Sequence, residues 1–178
     1  MELLSFFGKN IEQSLFQKEQ ERTNREWEKV VRGAKRYYRS VDDEYPQLMT
    51  ERERLVATGQ ILIINDVLLK GIPFPPLFSS DFVVLANGTV IFQLRLPGIG
   101  VNHAVLANGE EIVAAGIAFS EDYTADEVYN PKRPVPIKSI MNWSGHFRPS
   151  VDCLDVAEVA FRRLHIPLVR EFQKKQWT

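Results

Sequence analysis

The feature that most restricts the fold of this chain is a short polar turn between two apolar runs. The run Phe82–Leu85 precedes the turn Ala86–Thr89, and the run Val90–Leu94 follows it. β-branched and aromatic residues favour strands, and Asn-Gly, at positions 87 and 88, is the pair that tolerates positive φ in a tight turn. The sequence therefore predicts a β-hairpin here, as part of a mostly antiparallel sheet.

Further segments have the composition of strands. They are Gln60–Leu69, Val101–Leu106, Glu111–Phe119 and Ile137–Trp143. Between them, Lys70–Phe78 contains three prolines and Ser120–Pro136 contains acidic residues and prolines, so both are predicted to be loops. Loops as long as the second are often lids or binding elements.

The chain begins with helical periodicity. Asn10–Arg39 is free of proline and rich in Glu, Gln, Lys and Arg, and its apolar residues recur at steps of three and four. One long amphipathic helix is predicted, with a break near Gly33. A shorter helix is predicted over Gln47–Ala57.

Helical periodicity returns near the end of the chain. We expect Ser150 to act as the N-cap of a helix whose apolar stripe ends before Pro167. The stripe consists of Val151, Leu154, Ala157, Phe161 and Leu164. The last eleven residues, which include Phe172 and Trp177, predict a further short helix.

These elements predict an α+β fold with a long N-terminal amphipathic helix, a central mostly antiparallel sheet and a C-terminal helix packed on it. The chain has 178 residues, 44% of them apolar, which is enough for one domain with its own core. We expect a helical part over residues 1–58 and a β-rich part over residues 60–178.

Composition restricts the cellular compartment and the classes of partner that we expect for this chain. The 22 basic and 23 acidic side chains give a net charge of −1, so nothing in the bulk charge favours nucleic acid. The apolar start Met1–Phe7 is too short for a signal peptide or a membrane span. With Cys153 as the only cysteine, a cytoplasmic protein is expected, or one delivered by a secretion system that needs no classical signal.

Five cations recur at helical spacing within the predicted N-terminal helix, which places them on one stripe. They are Arg22, Arg25, Lys29, Arg32 and Arg36. Interleaved glutamates reduce the local charge. The stripe is either a solvated helix face or the contact surface for a partner such as a protein, with lipid or nucleic acid as the weaker alternatives.

Two of the three histidines have unusual neighbours. His103 follows Asn102 and a glycine-rich stretch, and His146 lies in Ser144–Ser150, just before the predicted C-terminal helix. The hydroxyls of Ser144 and Ser150, the guanidinium of Arg148 and backbone amides at Gly145 and the helix start would suit a small anion. In this interpretation His103, His146 and Ser144 are catalytic candidates, and Asn102, Gly145, Arg148 and Ser150 bind the ligand.

The same residues have a structural interpretation. A Ser-Gly-His-aromatic corner can hold a strand against a helix, with the imidazole bonded to a main-chain carbonyl and Phe147 in the core. His165, at the end of a helical stripe, is expected to be structural. The sequence contains no P-loop, no dinucleotide-binding glycine motif and no H-E-x-x-H motif, so no cofactor and no metal are expected.

The two histidine segments also resemble a known module. The pattern H-x-x-L-A-x-G-x-x-x-x-A-A-G matches His103–Gly116, and S-G-H-aromatic-x-P-S matches Ser144–Ser150. This pair is similar to a module near the C-terminus of plant IQ-motif calmodulin-binding proteins and of bacterial and fungal toxin-like or effector proteins. Trp27–Gly33 keeps only the Arg-Gly of an IQ motif, so the resemblance does not imply calmodulin binding.

Two functional hypotheses follow. In the first, the chain is a small effector- or toxin-like protein that binds a small anionic ligand, with a nucleotide as the leading class, and carries transferase or hydrolase chemistry. In the second, it is a non-catalytic protein–protein interaction module whose histidine motif is structural and whose partner surface is the basic helix.

Overall fold

The computed structural model describes residues 2–38, 46–66, 79–94, 102–120, 136–145 and 147–177. Within these residues the helices and strands follow in this order: α1 (Glu2–Gly33), α2 (Pro46–Ala57), β1 (Ile61–Ile64), β2 (Ser79–Leu85), β3 (Val90–Leu94), α3 (His103–Ala107), β4 (Ile112–Ser120), β5 (Ile137–Met141), α4 (Cys153–Arg163) and β6 (Leu168–Lys175). The predicted α+β class is confirmed.

The described strands form one sheet in the order β1-β3-β2-β4-β5-β6. Every pair of neighbours is antiparallel except β5 and β6, which run parallel. The sheet is therefore mostly antiparallel, as predicted, with one parallel edge.

The predicted hairpin is present between β2 and β3. The backbone N–H of Gly88 donates to the carbonyl of Leu85 at 2.9 Å, and Gly88 has φ of 90°. Asn87 contributes through its side chain, whose Oδ1 accepts from the N–H of Thr89 at 2.9 Å. Glycine supplies the left-handed residue that closes this turn, and the asparagine stabilises it locally.

One face of the sheet packs against α1 and α4. Phe82 and Phe92 on the strands contact Phe161 of α4, with ring centroids 5.4 Å from it in each case. Trp27 of α1 joins the same cluster. The C-terminal helix thus packs on the sheet as predicted.

The opposite face packs against α2 and α3. Side chains that alternate with those of the first face, such as Val83 and Ile91, meet Leu55 of α2 and Leu106 of α3 there. Phe147, from the segment before α4, is also buried in this cluster.

The predicted strand at Val101–Leu106 is wrong. Residues 103–107 form the short helix α3, because the side chain of Asn102 accepts from the N–H of Val105 at 2.9 Å and caps its start. Asn108, with φ of 54°, ends the helix in the left-handed conformation.

The predicted helix over the last eleven residues is also wrong, since β6 occupies most of that stretch. Four of its eight residues are charged and five are exposed, which suits an edge strand that needs to avoid pairing with other chains. Helix α4 provides the connection that a parallel β5–β6 pair requires.

Ser150 is not the N-cap of α4. The helix begins at Cys153 with Asp152 in the cap position, and Asp152 makes no side-chain capping bond. The N–H of Cys153 donates instead to the backbone carbonyl of Ser150 at 3.1 Å. The Ser150 side chain lies 3.3 Å from the hydroxyl of Tyr37, so it is engaged elsewhere. Val151, predicted within the apolar stripe, is 40% exposed.

Helix α1 begins at Glu2, earlier than the predicted Asn10, and ends at Gly33, where a break was expected. Tyr37 then pairs with Ile112 through two backbone hydrogen bonds of 2.9 Å. None of the helices in the described part of the chain is long and apolar enough to cross a bilayer. Most of the two predicted loops, at 70–78 and 120–136, lies outside the described residues.

Candidate functional site

The segment after β5 is held in place by Asn142. Its Nδ2 donates to the carbonyl of Pro149 at 3.0 Å, and its Oδ1 accepts from the N–H of Trp177 at 2.8 Å. One amide therefore ties together both ends of the turn and the residues that follow β6, although Trp177 is 35 positions away.

Residues between these anchors form a tight turn that projects Arg148. The Ser144 Oγ accepts from the N–H of Phe147 at 3.4 Å, and the Ser144 carbonyl accepts from the N–H of Arg148 at 3.0 Å. Phe147 is buried, whereas Arg148 is exposed and has φ of 45°. The left-handed conformation of Arg148 turns the chain back towards α4.

An open cleft of about 280 Å³ lies beside this turn. It is lined by Asn142, Trp143, Ser144, Gly145, Arg148, Pro149 and Trp177. The rings of Trp143 and Trp177 meet edge to face with centroids 6.1 Å apart, and Trp177 is 57% exposed. Among the described residues, Arg148 forms no ion pair. The cleft thus brings together two aromatic side chains and one exposed guanidinium.

His103 lies behind Trp143, which lines the cleft. It is the first residue of α3, it is 4% exposed, and its ring centroid is 6.5 Å from that of Trp143. Its Nε2 is 3.0 Å from the carbonyl oxygen of Gly116 and 3.7 Å from Asp81 Oδ1. The imidazole therefore joins α3 to β4 and lies close to a buried carboxylate of β2.

Asp81 faces Gln93 across the β2–β3 pair, and both side chains are buried. Burial of a carboxylate is costly unless polar groups lie beside it, and the imidazole of His103, 3.7 Å away, is such a group. The carboxylate that the structure places beside His103 therefore comes from β2.

The Ala-Ala-Gly part of the motif has a packing role. A Cβ atom at Gly116 would overlap the carbonyl oxygen of Met141 on β5. Gly116 therefore lets β5 approach β4 closely, and β5 leads directly into the cleft.

The structure brings some of the predicted site residues together and separates others. Ser144, Gly145 and Arg148 line the cleft, and His103 reaches it only through Trp143. Asn102 caps α3, and Ser150 lines a different cavity. His146 lies outside the described residues.

Sequence reasoning did not select Asn142, Trp143, Trp177 and Asp81 as site residues. Trp143 carried a weak signal because it adjoins the motif, whereas Trp177 is distant from the motif in the sequence. Asp81 also carried a weak sequence signal, because it is an acidic residue directly before an apolar run. Within the described part of the chain, no group of three or more His, Cys, Asp or Glu side chains could hold a metal ion.

Neither a family model, nor a curated protein, nor a solved structure matches this chain. The resemblance carried by the two histidine segments therefore stays a prediction.

Proposed function

We propose that this protein binds a small anionic ligand that carries a planar ring, and nucleotides are the first class to test. The observation that supports this proposal is the position of an exposed guanidinium, Arg148, on the same cleft as two tryptophan rings. An effector- or toxin-like role belongs to the same proposal and rests on the resemblance of the motif.

The chemistry of the lining fits such a ligand. Arginine presents a planar fork of N–H donors that matches phosphate or carboxylate oxygens. Tryptophan faces stack on planar rings and gain from burying them. Both groups line one cleft, so one ligand with a ring and an anionic group could engage them together.

The volume of the cleft restricts the class of ligand that it can hold. At about 280 Å³ it lies just below the range of roughly 300–1,000 Å³ that is usual for small-molecule pockets. A mononucleotide therefore suits the cleft better than a dinucleotide.

Catalysis is a secondary part of the proposal. Ser144 Oγ already accepts a backbone hydrogen bond, and the buried His103 bonds to a main-chain carbonyl. Transferase or hydrolase chemistry would need a proton acceptor that reaches the ligand, and His103 could reach it only if Trp143 moved aside.

The test is a thermal-shift screen at pH 7 with AMP, ADP and ATP, and with ribose 5-phosphate as the compound that carries the anion but no planar ring. Ligand at a hundredfold above its Kd should add about 2.7 kcal/mol, a rise in Tm of roughly 5–10 °C for a chain of this size. Arg148→Ala and Trp177→Ala should lose this rise. Arg170→Ala, which removes the same charge from exposed β6, is the matched control and should keep it.

The proposal fails if none of the three nucleotides raises the Tm of the wild type. It also fails if the Arg148→Ala variant responds as the wild type does, because the cation of the cleft would then have no part in binding.

The exposed basic stripe supports a second candidate, the protein-interaction module. All five cations are exposed, but only the first four lie on α1, because Arg36 follows its end at Gly33. Arg22 approaches Glu19 only to 3.9 Å, and Arg25 donates to the backbone carbonyl of Glu21 within its own helix. Charge reversal at Arg25 and Arg32 should then abolish capture of an acidic partner in pull-down experiments. Unchanged capture would exclude this surface.

A further inference from the structure

A second and larger cavity lies on the other side of the motif. It encloses about 500 Å³ between the end of α1, the residues that lead to Tyr37, the start of β4 and the start of α4. Ser150 lines this cavity, whereas Pro149 next to it lines the tryptophan cleft. The two spaces are therefore neighbours with separate linings.

The floor of the cavity is apolar. It is formed by Val30 and Ala34 from the α1 side, Val113 of β4, and Cys153 and Val156 of α4. Val113 is 1% exposed, and Cys153 and Val156 are buried as well. Burial raises the pKa of the Cys153 thiol to about 11, so this side chain is neutral at physiological pH and acts as a small apolar group.

The mouth of the cavity is cationic. Lys29 and Lys35 line it and are exposed, and neither forms an ion pair within the part of the chain that the structure describes. The ammonium of Lys35 lies 5.2 Å from the centroid of the Tyr37 ring, a cation–π contact that keeps it near the mouth. Asp152 is the one carboxylate in the lining, so the mouth keeps a net positive charge.

The wall between the floor and the mouth of the cavity is formed by Tyr37, which hydrogen bonds already hold in place. The Tyr37 hydroxyl accepts from the N–H of Ser150 at 3.1 Å, and its backbone pairs with Ile112. Because these residues are already ordered, ligand binding would not cost the conformational entropy of ordering them.

We propose that this cavity is a second binding site, for a small carboxylate with an apolar body. Its volume lies within the usual range for small-molecule pockets, roughly 300–1,000 Å³. The apolar body would cover the floor, and the carboxylate would pair with Lys29 and Lys35. The site does not depend on the tryptophan cleft, so either proposal can fail without the other.

The test measures binding of hexanoate, octanoate and decanoate to the full chain by calorimetry at pH 7, below the concentrations at which they aggregate. Each buried methylene contributes about 0.8 kcal/mol, so each step of two carbons should lower the Kd by about fifteenfold until the floor is filled. Octyltrimethylammonium, which has an apolar body of similar length and the opposite charge, should not bind.

Two variants locate the site. Lys29→Ala/Lys35→Ala should weaken octanoate binding at least tenfold and leave the weaker binding of 1-octanol unchanged, whereas Ala34→Phe, which fills the cavity, should abolish both. The control Lys18→Ala/Arg25→Ala removes the same charge from exposed positions of α1 outside the cavity. It should bind octanoate as the wild type does, as should Arg148→Ala.

Three results would overturn the proposal. They are no binding of any carboxylate to the wild type, equal binding of octanoate and octyltrimethylammonium, and octanoate binding that the two-lysine variant retains in full. Because Lys29 and Lys35 are exposed, that variant is expected to fold, so the outcome does not depend on the stability of Ala34→Phe.

Discussion

The Nε2 atom of His103 lies 3.0 Å from the carbonyl oxygen of Gly116. This bond joins the start of α3 to the middle of β4, and the ring is almost fully buried. We expect His103→Ala to lower the free energy of unfolding by about 1–3 kcal/mol, because it leaves a buried polar group without its partner. Urea denaturation measures the loss.

His165 gives the control for this measurement. Its Nε2 is 3.1 Å from the side chain of Gln20 on α1, and the ring is only half-buried, so His165→Ala should cost less. A His103→Ala variant that is as stable as the wild type but binds no ligand would instead place His103 in the binding machinery.

Gly116 should accept no side chain. A Cβ atom there would overlap the Met141 carbonyl, so Gly116→Ala must push β4 and β5 apart. Overpacking of this kind costs about 1–3 kcal/mol or more, which denaturation curves would resolve. Gly145→Ala is the matched control, since a Cβ atom there meets nothing within 4 Å. Equal stability of the two variants would contradict the close approach of the strands.

Cys153 should react slowly in the folded protein. With its pKa raised to about 11 by burial, roughly one thiol in a thousand is ionised at pH 8, and the thiolate is the reactive form. Alkylation by iodoacetamide at pH 8 should be at least a hundredfold slower than in the urea-unfolded chain. Similar rates in the two states would show that the thiol is accessible and ionised.

The same thiol should make stability depend on alkaline pH. Above the ordinary pKa of about 9 the unfolded chain loses this proton while the folded chain keeps it, so stability should fall as pH rises from about 9 to 11. Cys153→Ala should remove this part of the pH dependence. A variant whose decline matches that of the wild type would assign the effect to other groups.

Lys174 connects the edge strand β6 to α4 through two carboxylates, at 2.6 Å from Asp155 and 2.9 Å from Glu158. Burial alone would raise the pKa of Glu158, but hydrogen bonds from Lys174 and Arg162 outweigh it and leave that pKa lowered. A lowered carboxyl pKa stabilises the folded state above about pH 4.5, and this contribution is lost as the pH falls further.

Lys174→Met should therefore cost up to about 1 kcal/mol at pH 7 and almost nothing at pH 3, because the pair is partly exposed. Denaturation at both pH values checks this, with Lys175→Met, at an exposed neighbouring position, as the control. An equal loss at both pH values would mean that packing of the lysine stem, and not its charge, holds β6.

Local chemistry explains which parts of the fold could be predicted from the sequence. The turn at Asn87-Gly88 and the apolar stripe of α4 depend on neighbours in the chain, and both are present. The α3 and β6 segments were assigned the wrong structure. A five-residue helix is set by its Asn102 cap more than by periodicity, and β6 forms because β5 is available to pair with it.

The residues of the candidate site divide in the same way, into those placed by their neighbours in the chain and those placed by the fold. Ser144, Gly145 and Arg148 lie together because they are consecutive or nearly so. Trp177 reaches them only through the pairing of β5 with β6, and Asp81 reaches His103 only through the packing of α3 on β2. Such contacts depend on the whole fold, so no local pattern could have predicted them.

Arg148 keeps a left-handed backbone that glycine would adopt freely, and an L-residue pays roughly 1–2 kcal/mol for it. Under the proposed function, stability and ligand binding therefore favour different residues at this position. A library of variants at position 148, sorted only for resistance to heat, should be enriched in glycine, whereas the same library sorted for nucleotide capture should return arginine.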